Sequence, residues 1–336
     1  MKNLCRMAKG VTEAEVEAAV EDARQFAEAS PWPEAASATR FVYDEPPGTE
    51  PTLDGTSKPD GAIHEISFMQ ATLEALGDEM ARDPRIFVMG EGIGKRGGNF
   101  RTTAGLFDRY GPVRLCDTPI CERGFVGLSC GAAMTGTRPV IDFMFADFVL
   151  DGVGEIVNQI AKIAYMSSGR LKMPVVLRGC IGIGHSAATH RSGNYYAVFA
   201  QFPGLRVAVP SNPRDARGLL KHALRGNDPV LFLEHREILA LKGPVPAGDE
   251  EIGFGKAAIV REGTDVTVVA LALMVHQTLK ACEELASEGI SVELIDPRTV
   301  APLDIDTIAD SAGAPSSRNL AAAISTSPGS FPLHQD

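Results

Sequence analysis

This 336-residue sequence has no excess of basic residues and no long hydrophobic run. Its 43 aspartates and glutamates outnumber 32 lysines and arginines, which gives a formal net charge of -11. We therefore expect no broad electrostatic binding of nucleic acid phosphates. The longest apolar run, residues 266–275, has about half of the roughly 20 residues that a transmembrane helix needs. The sequence predicts no membrane span, and its partners should be proteins or small molecules.

Metal-binding cysteine patterns and targeting signals are also absent. The six cysteines form neither a CxxC pair nor a cysteine and histidine spacing typical of zinc, which favours reduced thiols. The N-terminus has no apolar signal core and is rich in glutamate, unlike a secretory signal or an arginine-rich transit peptide. We therefore expect a cytoplasmic protein. With 44% hydrophobic and 22% charged residues, the composition is that of a globular protein of about two domains.

The first 43 residues predict a helical tail. Thr12 and Glu15 have the spacing of a capping box ahead of apolar residues at helical intervals, and Pro31 should end the helix. Residues 44–61 contain four prolines and three glycines, a composition that cannot form a packed element. We expect a linker there and a new domain after it.

Beyond the linker, helical patterns alternate with short β-branched runs. This alternation is typical of an α/β fold in which helices cover both faces of a mainly parallel sheet. A first domain is expected at 62–245. Its predicted elements are helices near 67–82, 149–165 and 212–225, and strands at 86–89, 139–143, 175–177, 205–209 and 230–233.

A second, incomplete α/β unit is expected at 250–310. It shows two strand patterns, at 266–271 and 292–295, around one clear helix at 276–287, whereas a sheet of this class has about 4 to 6 strands. From residue 311 the chain is rich in serine, alanine, proline and glycine, without apolar periodicity. We therefore predict a disordered tail over 311–336.

The densest unusual stretch runs from Asp117 to Gly136. Pro119 should stop an extended segment, and the small residues after Glu122 allow a helix to pack closely against its neighbours. Glu122 would then occupy the N-terminus of a helix at the sheet edge. On spacing alone, a glutamate that is favoured there by the helix dipole is the simpler interpretation.

Seven motifs lie between Ile63 and about Asp306: Met89-Gly90-Glu91, 117–127, Gly131-Ala132-Ala133-Met134, Arg138-Pro139-Val140, Tyr165-Met166-Ser167, Pro203-Gly204-Leu205 and Asp296-Pro297-Arg298-Thr299. Through these motifs the sequence resembles the beta subunit of the thiamine-diphosphate-dependent 2-oxo acid dehydrogenases. The resemblance implies an α/β fold: a transketolase-like pyrimidine-binding domain followed by an incomplete transketolase C-terminal-like domain. It implies oxidative decarboxylation of a 2-oxo acid and acyl transfer to a lipoyl group, and leaves open whether the substrate is pyruvate, a branched-chain acid or acetoin.

The resemblance also implies a cofactor site. Glu122 matches the family acid that faces the aminopyrimidine of thiamine diphosphate. Desolvation raises the pKa of a carboxyl, which can then share a proton with the pyrimidine ring nitrogen. Phe148 matches the aromatic residue that stacks on the pyrimidine, Met144 an apolar neighbour beneath it, and Glu91 a residue near the cofactor. The alternatives are a core aromatic residue for Phe148 and a solvated loop residue for Glu91.

Two further sites follow from the resemblance. His190 matches the histidine that lines the substrate channel and assists acyl transfer. The family usually has His-Ser-Gln where this chain has His190-Arg191-Ser192-Gly193, about one residue longer. His185 is therefore a competitor, and a loop histidine without a role is a third possibility. Main-chain carbonyls at four positions match those that hold a structural potassium ion, although a helix-ending turn explains them equally well. These positions are Val175, Ala223, Gly226 and Asp228.

Partners are implied by what the sequence lacks. The family anchors the diphosphate through magnesium held by a Gly-Asp-Gly motif, which is absent here, so magnesium should be bound by an alpha subunit in a two-alpha, two-beta heterotetramer. A dihydrolipoyl acyltransferase core is the second expected partner. Residues 18–43 resemble the tail of an alpha subunit, which suggests a fused or mis-started reading frame; an unrelated acidic helix is the alternative. The family pattern stops after Ile308, which suggests a shifted or truncated reading frame. A catalytically silent interaction protein that keeps the pyrimidine-binding fold is the alternative function.

Overall fold

The computed structural model describes residues 12–44, 62–184, 186–313 and 319–323. The chain divides into two compact units, residues 1–40 and 41–336. The first contains helix α1 (Glu13–Ala29) and a 3-10 turn (Ala35–Thr39). The predicted capping box is confirmed, because the backbone N–H of Thr12 donates to Glu15 Oε2 at 2.6 Å and that of Glu15 donates to Thr12 Oγ1 at 3.3 Å.

The second unit contains two larger sheets and a two-stranded one. Within the described stretches, no helix is long and apolar enough to cross a lipid bilayer, and the five cysteines are free thiols. Its helices and strands are, in chain order, β1 (Ile63–Ser67), α2 (Phe68–Arg82), β2 (Ile86–Gly90), α3 (Leu106–Arg114), β3 (Leu115–Asp117), α4 (Glu122–Met134), β4 (Arg138–Phe145), α5 (Val153–Glu155), α6 (Ile163–Met166), β5 (Val176–Ile181), α7 (Tyr196–Phe199), β6 (Arg206–Ala208), α8 (Pro213–Arg225), β7 (Val230–His235), β8 (Lys242–Pro246), β9 (Ala258–Arg261), β10 (Val266–Ala270), α9 (Leu273–Ser287), β11 (Val292–Asp296), β12 (Thr299–Ala301), α10 (Ile305–Gly313) and β13 (Asn319–Ala323).

A seven-stranded sheet forms the centre of the second unit. Its order is β12-β6-β7-β5-β4-β2-β3, and every neighbouring pair is parallel except β12 with β6. Alternate strand residues enter two separate cores. Ile141 and Leu177 pack with α4 and α7 on one face, whereas Val140 and Val176 pack with α2 and α8 on the other. The predicted parallel sheet with helices on both faces is confirmed.

Local signals place several of these elements correctly, as α8 shows. Asn212 caps this helix through a 2.9 Å bond from the Asp215 backbone N–H, and Pro213 occupies its first turn. The single helix predicted over 149–165 is wrong. The chain instead forms a 3-10 turn (Ala146–Gly152), α5, a π turn (Ile156–Ile160) and α6. Gly152 lies so close to α4 that a Cβ there would be 3.0 Å from Val126 Cγ2, so packing against α4 shapes this segment.

The second sheet has the order β13-β10-β11-β9. The structure differs from the predicted disorder over 311–336 where it describes that stretch. α10 extends to Gly313, and β13 pairs in parallel with β10. Backbone pairing along an open strand edge needs no apolar periodicity, which is why the sequence pattern missed β13. The other residues of the predicted tail, 314–318 and 324–336, lie outside the described residues, as does the predicted linker apart from Asp44.

A buried polar cluster joins the two sheets. The end of β11 carries Asp296, whose carboxylate accepts bonds from the Ser211 hydroxyl and from the Arg298 backbone N–H. Arg298 Nε in turn donates to Asp215 Oδ2 at 2.9 Å. Burial, reinforced by the charge of Asp215, raises the pKa of Asp296 to about 7. β12 comes shortly after β11 in the chain and pairs with β6. The chain beyond residue 250 therefore supplies the last strand of the seven-stranded sheet.

We expect Gly90→Ala to destabilise the fold by about 1 to 3 kcal/mol. A Cβ at Gly90 would lie 2.3 Å from the backbone oxygen of Asp142, so β2 and β4 would have to move apart. The measurement is the free energy of unfolding in urea. Gly131→Ala on α4 is the matched control, because its Cβ would meet nothing within 4 Å, and it should be neutral or stabilising. Equal stability of the two variants would contradict this account of the strand ends.

Candidate active site

Three neighbouring parallel strands end at one edge of the seven-stranded sheet. β2 lies between β3 and β4, so that Gly90 pairs with Asp117 on one side and with Asp142 on the other. Ligands of α/β folds bind at the carboxyl ends of such strands. Four predicted site residues lie at or shortly beyond these strand ends: Glu91, Glu122, Met144 and Phe148.

Glu91 follows β2 directly and is half-buried. The backbone N–H of Thr118 donates to the Gly90 carbonyl at 3.0 Å and brings the segment after β3 alongside it. Burial raises the pKa of the Glu91 carboxyl above its usual value, and the charge of Glu122 raises it further. The two predicted carboxyls therefore interact. A carboxyl perturbed by burial and by a like charge at a strand edge is a candidate functional group.

Glu122 is the first residue of α4 and only 8% exposed. The predicted helix start at this residue is confirmed, and β3 ends at Asp117, shortly before Pro119. Arg123 Nε donates to Glu155 Oε1 at 2.8 Å, which ties the first turn of α4 to α5. Glu122 is thus held on a rigid helix at the sheet edge, while its role in catalysis stays a prediction.

Met144 lies in a strained turn near the end of β4. Its φ of +66° is a conformation that side-chain-bearing residues rarely adopt and that recurs at functional sites. The Met144 backbone N–H donates to Asp142 Oδ1 at 2.9 Å, and Thr102 Oγ1 donates to Asp142 Oδ2 at 2.7 Å. The side-chain amide of Asn99 contacts the Met144 sulfur. The buried carboxylate of Asp142 therefore fixes this turn.

Phe148 belongs to an aromatic cluster beside this turn. Its ring stands edge-to-face against Phe145, with the ring centroids 6.0 Å apart, and Phe100 packs on Phe145 at 5.4 Å. Phe148 is half-buried and packs against the core on that face of the sheet. A partly exposed ring held in this way can serve as a stacking surface, and its role as one stays a prediction.

His190 lies in an exposed 3-10 turn (Thr189–Arg191). The neighbouring Arg191 places its guanidinium 5.6 Å from the centroid of Phe145, and Arg236 Nη2 donates to the Arg191 carbonyl at 2.8 Å. These contacts bring the loop that carries His190 to the edge where Phe145 and Phe148 lie. His185 lies outside the described residues.

The four predicted potassium ligands lie near the amino ends of β5 and β7, away from the strand ends described above. Ala223, Gly226 and Asp228 line a small pocket. The Val175 carbonyl accepts the Val230 backbone N–H at 2.9 Å. The Gly226 carbonyl accepts from the Arg138 guanidinium, which would repel a second cation. This arrangement does not favour a potassium ion at these four positions.

Sequence reasoning missed three polar residues at the carboxyl edge: Thr118, Asp142 and Asp147. Asp147 Oδ1 accepts from the Gly193 backbone N–H at 3.2 Å and from the Tyr195 hydroxyl at 3.0 Å. Among the described residues, nothing hydrogen-bonds to the buried Thr118 Oγ1 or Asp147 Oδ2. Asp142 and Asp147 each interrupt an apolar or aromatic run of the sequence. A carboxylate in such a run was the sequence signal that could have identified them. No group of three or more potential metal ligands occurs in the described stretches.

Two known protein families match most of the second unit of this chain. The family described as "Transketolase, pyrimidine binding domain" matches residues 64–242, more than half of the chain. The family described as "Transketolase, C-terminal domain" matches residues 255–318. The carboxyl edge with Glu91 and Glu122 falls within the first match.

Similar curated proteins are subunits of dehydrogenases. The chain is 45% identical over 248 residues to the 2-oxoisovalerate dehydrogenase subunit beta of Bacillus subtilis, covering 74% of this chain and 76% of that protein. It is 44% identical to the acetoin:2,6-dichlorophenolindophenol oxidoreductase subunit beta of Cupriavidus necator, covering 73% and 75%. It is 42% identical to the pyruvate dehydrogenase E1 component subunit beta of Bacillus subtilis, also covering 73% and 75%.

A solved structure supports the fold independently. A split-gene transketolase, described as an inactive beta4 tetramer, superposes with a TM-score of 0.61 and covers 77% of this chain and 80% of its own. Its sequence identity is 23%, so the likeness concerns the fold alone.

Proposed function

The chain belongs to the family of beta subunits of the 2-oxo acid dehydrogenases, and from this membership we propose that it forms, with an alpha subunit, the decarboxylating component of such a complex. The observation that carries the proposal is the placement of two carboxyls at the carboxyl edge of the parallel strands: Glu91 directly after β2, and the buried Glu122 at the start of α4. The reaction is the oxidative decarboxylation of a 2-oxo acid with acyl transfer to a lipoyl group.

The residues at this edge fit thiamine diphosphate. Glu91 is half-buried with a raised pKa, Glu122 is buried, and the polar atoms of Thr118 and Asp147 noted above have no hydrogen-bond partner among the described residues. Such groups suit a polar ring bound against them. Thiamine diphosphate, when bound, supplies the carbanion chemistry of the decarboxylation.

Each residue of this chain then has a defined task. With thiamine diphosphate bound, the carboxyl of Glu122 would hydrogen-bond the pyrimidine ring nitrogen and exchange a proton with it. Phe148 and the fixed turn at Met144 orient the ring, and Glu91 adds a second carboxyl close by. His190, on the loop tied down by Arg236, orients the carboxylate of the 2-oxo acid and moves protons in the channel.

The remaining components come from partners. We assign magnesium and the diphosphate to an alpha subunit, because no Gly-Asp-Gly segment occurs in the sequence. The assembly is a two-alpha, two-beta heterotetramer in the cytoplasm, and it delivers acyl groups to a dihydrolipoyl acyltransferase core. Potassium remains a prediction of the resemblance alone. The relatives named above are enzyme subunits, which supports this function and not the alternative of a silent interaction protein.

Co-expression with an alpha subunit of a 2-oxo acid dehydrogenase tests the assembly. We expect the two chains to elute together from a size-exclusion column at the mass of a heterotetramer. A control with an unrelated thiamine-diphosphate enzyme should leave the chain on its own. A chain that never associates with any alpha subunit of the family would favour the silent interaction protein.

Glu91→Gln should stabilise the protein at neutral pH. The folded state raises the pKa of Glu91 from its ordinary 4.5, so the folded protein holds this proton more tightly than the unfolded chain does. The contribution of Glu91 to the free energy of unfolding therefore falls as pH rises from about 4.5 through the folded pKa. We expect a higher Tm for the variant at pH 7, and a gain that vanishes below about pH 4.

The control for this prediction is Glu74→Gln, which removes one charge from an exposed position on α2. Thermal melts of the parent and both variants over a series of pH values separate the effect of the buried carboxyl from that of removing any one negative charge. A Tm for Glu91→Gln below that of the parent at pH 7 would show that Glu91 is not strained by burial and by Glu122.

A further inference from the structure

Two guanidinium groups lie over one aromatic ring at the carboxyl edge. The guanidinium carbon of Arg236 is 5.2 Å from the centroid of Phe145, and that of Arg191 is 5.6 Å from the same centroid. Phe145 also stands edge-to-face against Phe148, the aromatic residue assigned to the cofactor site. Positive charge is therefore concentrated beside that site, in a protein whose formal net charge is -11.

Neither guanidinium pairs with a carboxylate in the described part of the chain. Arg236 is 2% exposed, and its Nη2 donates to main-chain carbonyls of the neighbouring loop. Asp147, on the same turn as Phe145, accepts from the Tyr195 hydroxyl and from a backbone N–H instead. Two like charges over one ring repel each other unless an anion lies nearby. The two arginines therefore favour a bound anion at this edge.

Arg191 is the accessible member of the pair. The residue is exposed, whereas its backbone is fixed: its carbonyl accepts from Arg236 Nη2 at 2.8 Å, and the adjacent Ser192 Oγ donates to the Ala188 carbonyl at 2.7 Å. Arg191 directly follows His190 and so belongs to the loop of the proposed substrate channel. When Ser192 is matched to the serine of the family's His-Ser-Gln, Arg191 takes the position of the channel histidine.

We propose that Arg191 determines the substrate class by pairing with the carboxylate of a 2-oxo acid. The inference rests on the proposed function, and it makes the substrate pyruvate or a branched-chain 2-oxo acid and not acetoin. A guanidinium is charged at every working pH and can donate two parallel hydrogen bonds to a carboxylate. Acetoin has a hydroxyethyl group where a 2-oxo acid has its carboxylate, so it gains nothing from this charge.

Equilibrium binding to the complex with an alpha subunit tests this assignment without turnover. The complex is loaded with thiamine thiazolone diphosphate, an unreactive analogue of the cofactor, and saturation-transfer NMR gives the Kd of 3-methyl-2-oxobutanoate and of acetoin. We expect Arg191→Gln to raise the Kd of the 2-oxo acid about 10- to 100-fold and to leave that of acetoin unchanged. Arg191→Lys keeps the charge and should recover part of the loss.

Dye-reduction kinetics with thiamine diphosphate supply a second readout. Because the contact with Arg191 forms before any bond of the substrate breaks, its loss should raise KM by the same factor and leave kcat within about threefold of the parent. Arg82→Gln, the same chemical change at an exposed position on α2, is the matched control and should behave as the parent does. A thermal melt of each variant verifies that it is folded.

Several results would overturn the role of Arg191. These are undiminished binding of 3-methyl-2-oxobutanoate by Arg191→Gln, equal weakening of 2-oxo acid and acetoin binding, and a parent complex that prefers acetoin. The proposed function is tested separately. A parent complex that binds the 2-oxo acid through Arg191 but turns over no substrate would contradict the proposed function and still support the role of Arg191.

Discussion

Glu122→Gln should lower the activity of the complex assembled with an alpha subunit by about 100- to 10,000-fold. The amide has nearly the size of the carboxyl, so the first turn of α4 and its contact with α5 should persist. It cannot hold or share the proton that the pyrimidine ring nitrogen requires. The measurement is the 2-oxo-acid-dependent reduction of a dye by purified complexes of parent and variant.

The matched control for this substitution is Glu74→Gln, which makes the same chemical change at an exposed position on α2. Its complex should be as active as the parent. Size-exclusion chromatography of both variants verifies that assembly with the alpha subunit is intact. Activity of Glu122→Gln within about threefold of the parent would remove Glu122 from the mechanism.

Arg178→Met should destabilise the fold by about 3 to 5 kcal/mol, the largest effect on stability that we expect. The side chains of Arg178 on β5 and Glu234 on β7 are 1% and 2% exposed, and Arg178 donates to the Glu234 carboxylate from Nε at 2.9 Å and from Nη2 at 2.8 Å. Burial already raises the pKa of Glu234, so removal of its partner leaves an uncompensated carboxyl in the centre of the sheet. The measurement is the free energy of unfolding of parent and variant in urea.

Two further variants separate the buried charge from a general loss of packing. The double variant Arg178→Met with Glu234→Leu should recover much of the stability, because no charge remains unpaired. Arg85→Met breaks an exposed pair with Asp83 and should cost less than about 1 kcal/mol. If the double variant is as unstable as Arg178→Met alone, the stability of this region depends on packing and not on the ion pair.

The sequence predicts elements well where local chemistry determines them. The capping box of Thr12 and Glu15 and the Asn212-Pro213 start of α8 are both read from a few adjacent residues, and both are confirmed. The broken helical segment after β4 and strands β12 and β13 could not be predicted in this way. Packing of Gly152 against α4 shapes the first, and pairing with distant strands creates the other two.

The candidate site, too, was only partly predictable from the sequence. The positions of Glu91 after β2 and Glu122 at the start of α4 follow from the chain order of strands and helices, and the resemblance supplied their roles. The bond from Met144 to Asp142 and the grip of Arg236 on the loop of His190 could not be predicted. Each depends on neighbours in space: Thr102 lies 40 residues from Asp142 in the sequence, and Arg236 lies 45 residues from Arg191.

Dye reduction by the purified complex of this chain with an alpha subunit tests the proposed function most directly. We expect oxidative decarboxylation of pyruvate or of a branched-chain 2-oxo acid, or oxidative cleavage of acetoin, to depend on added thiamine diphosphate and magnesium, and to be absent from either subunit alone. Activity should disappear when Glu122→Gln replaces the parent chain. A stable complex that turns over none of these substrates with the cofactor present would contradict the assignment of this chain as a catalytic beta subunit.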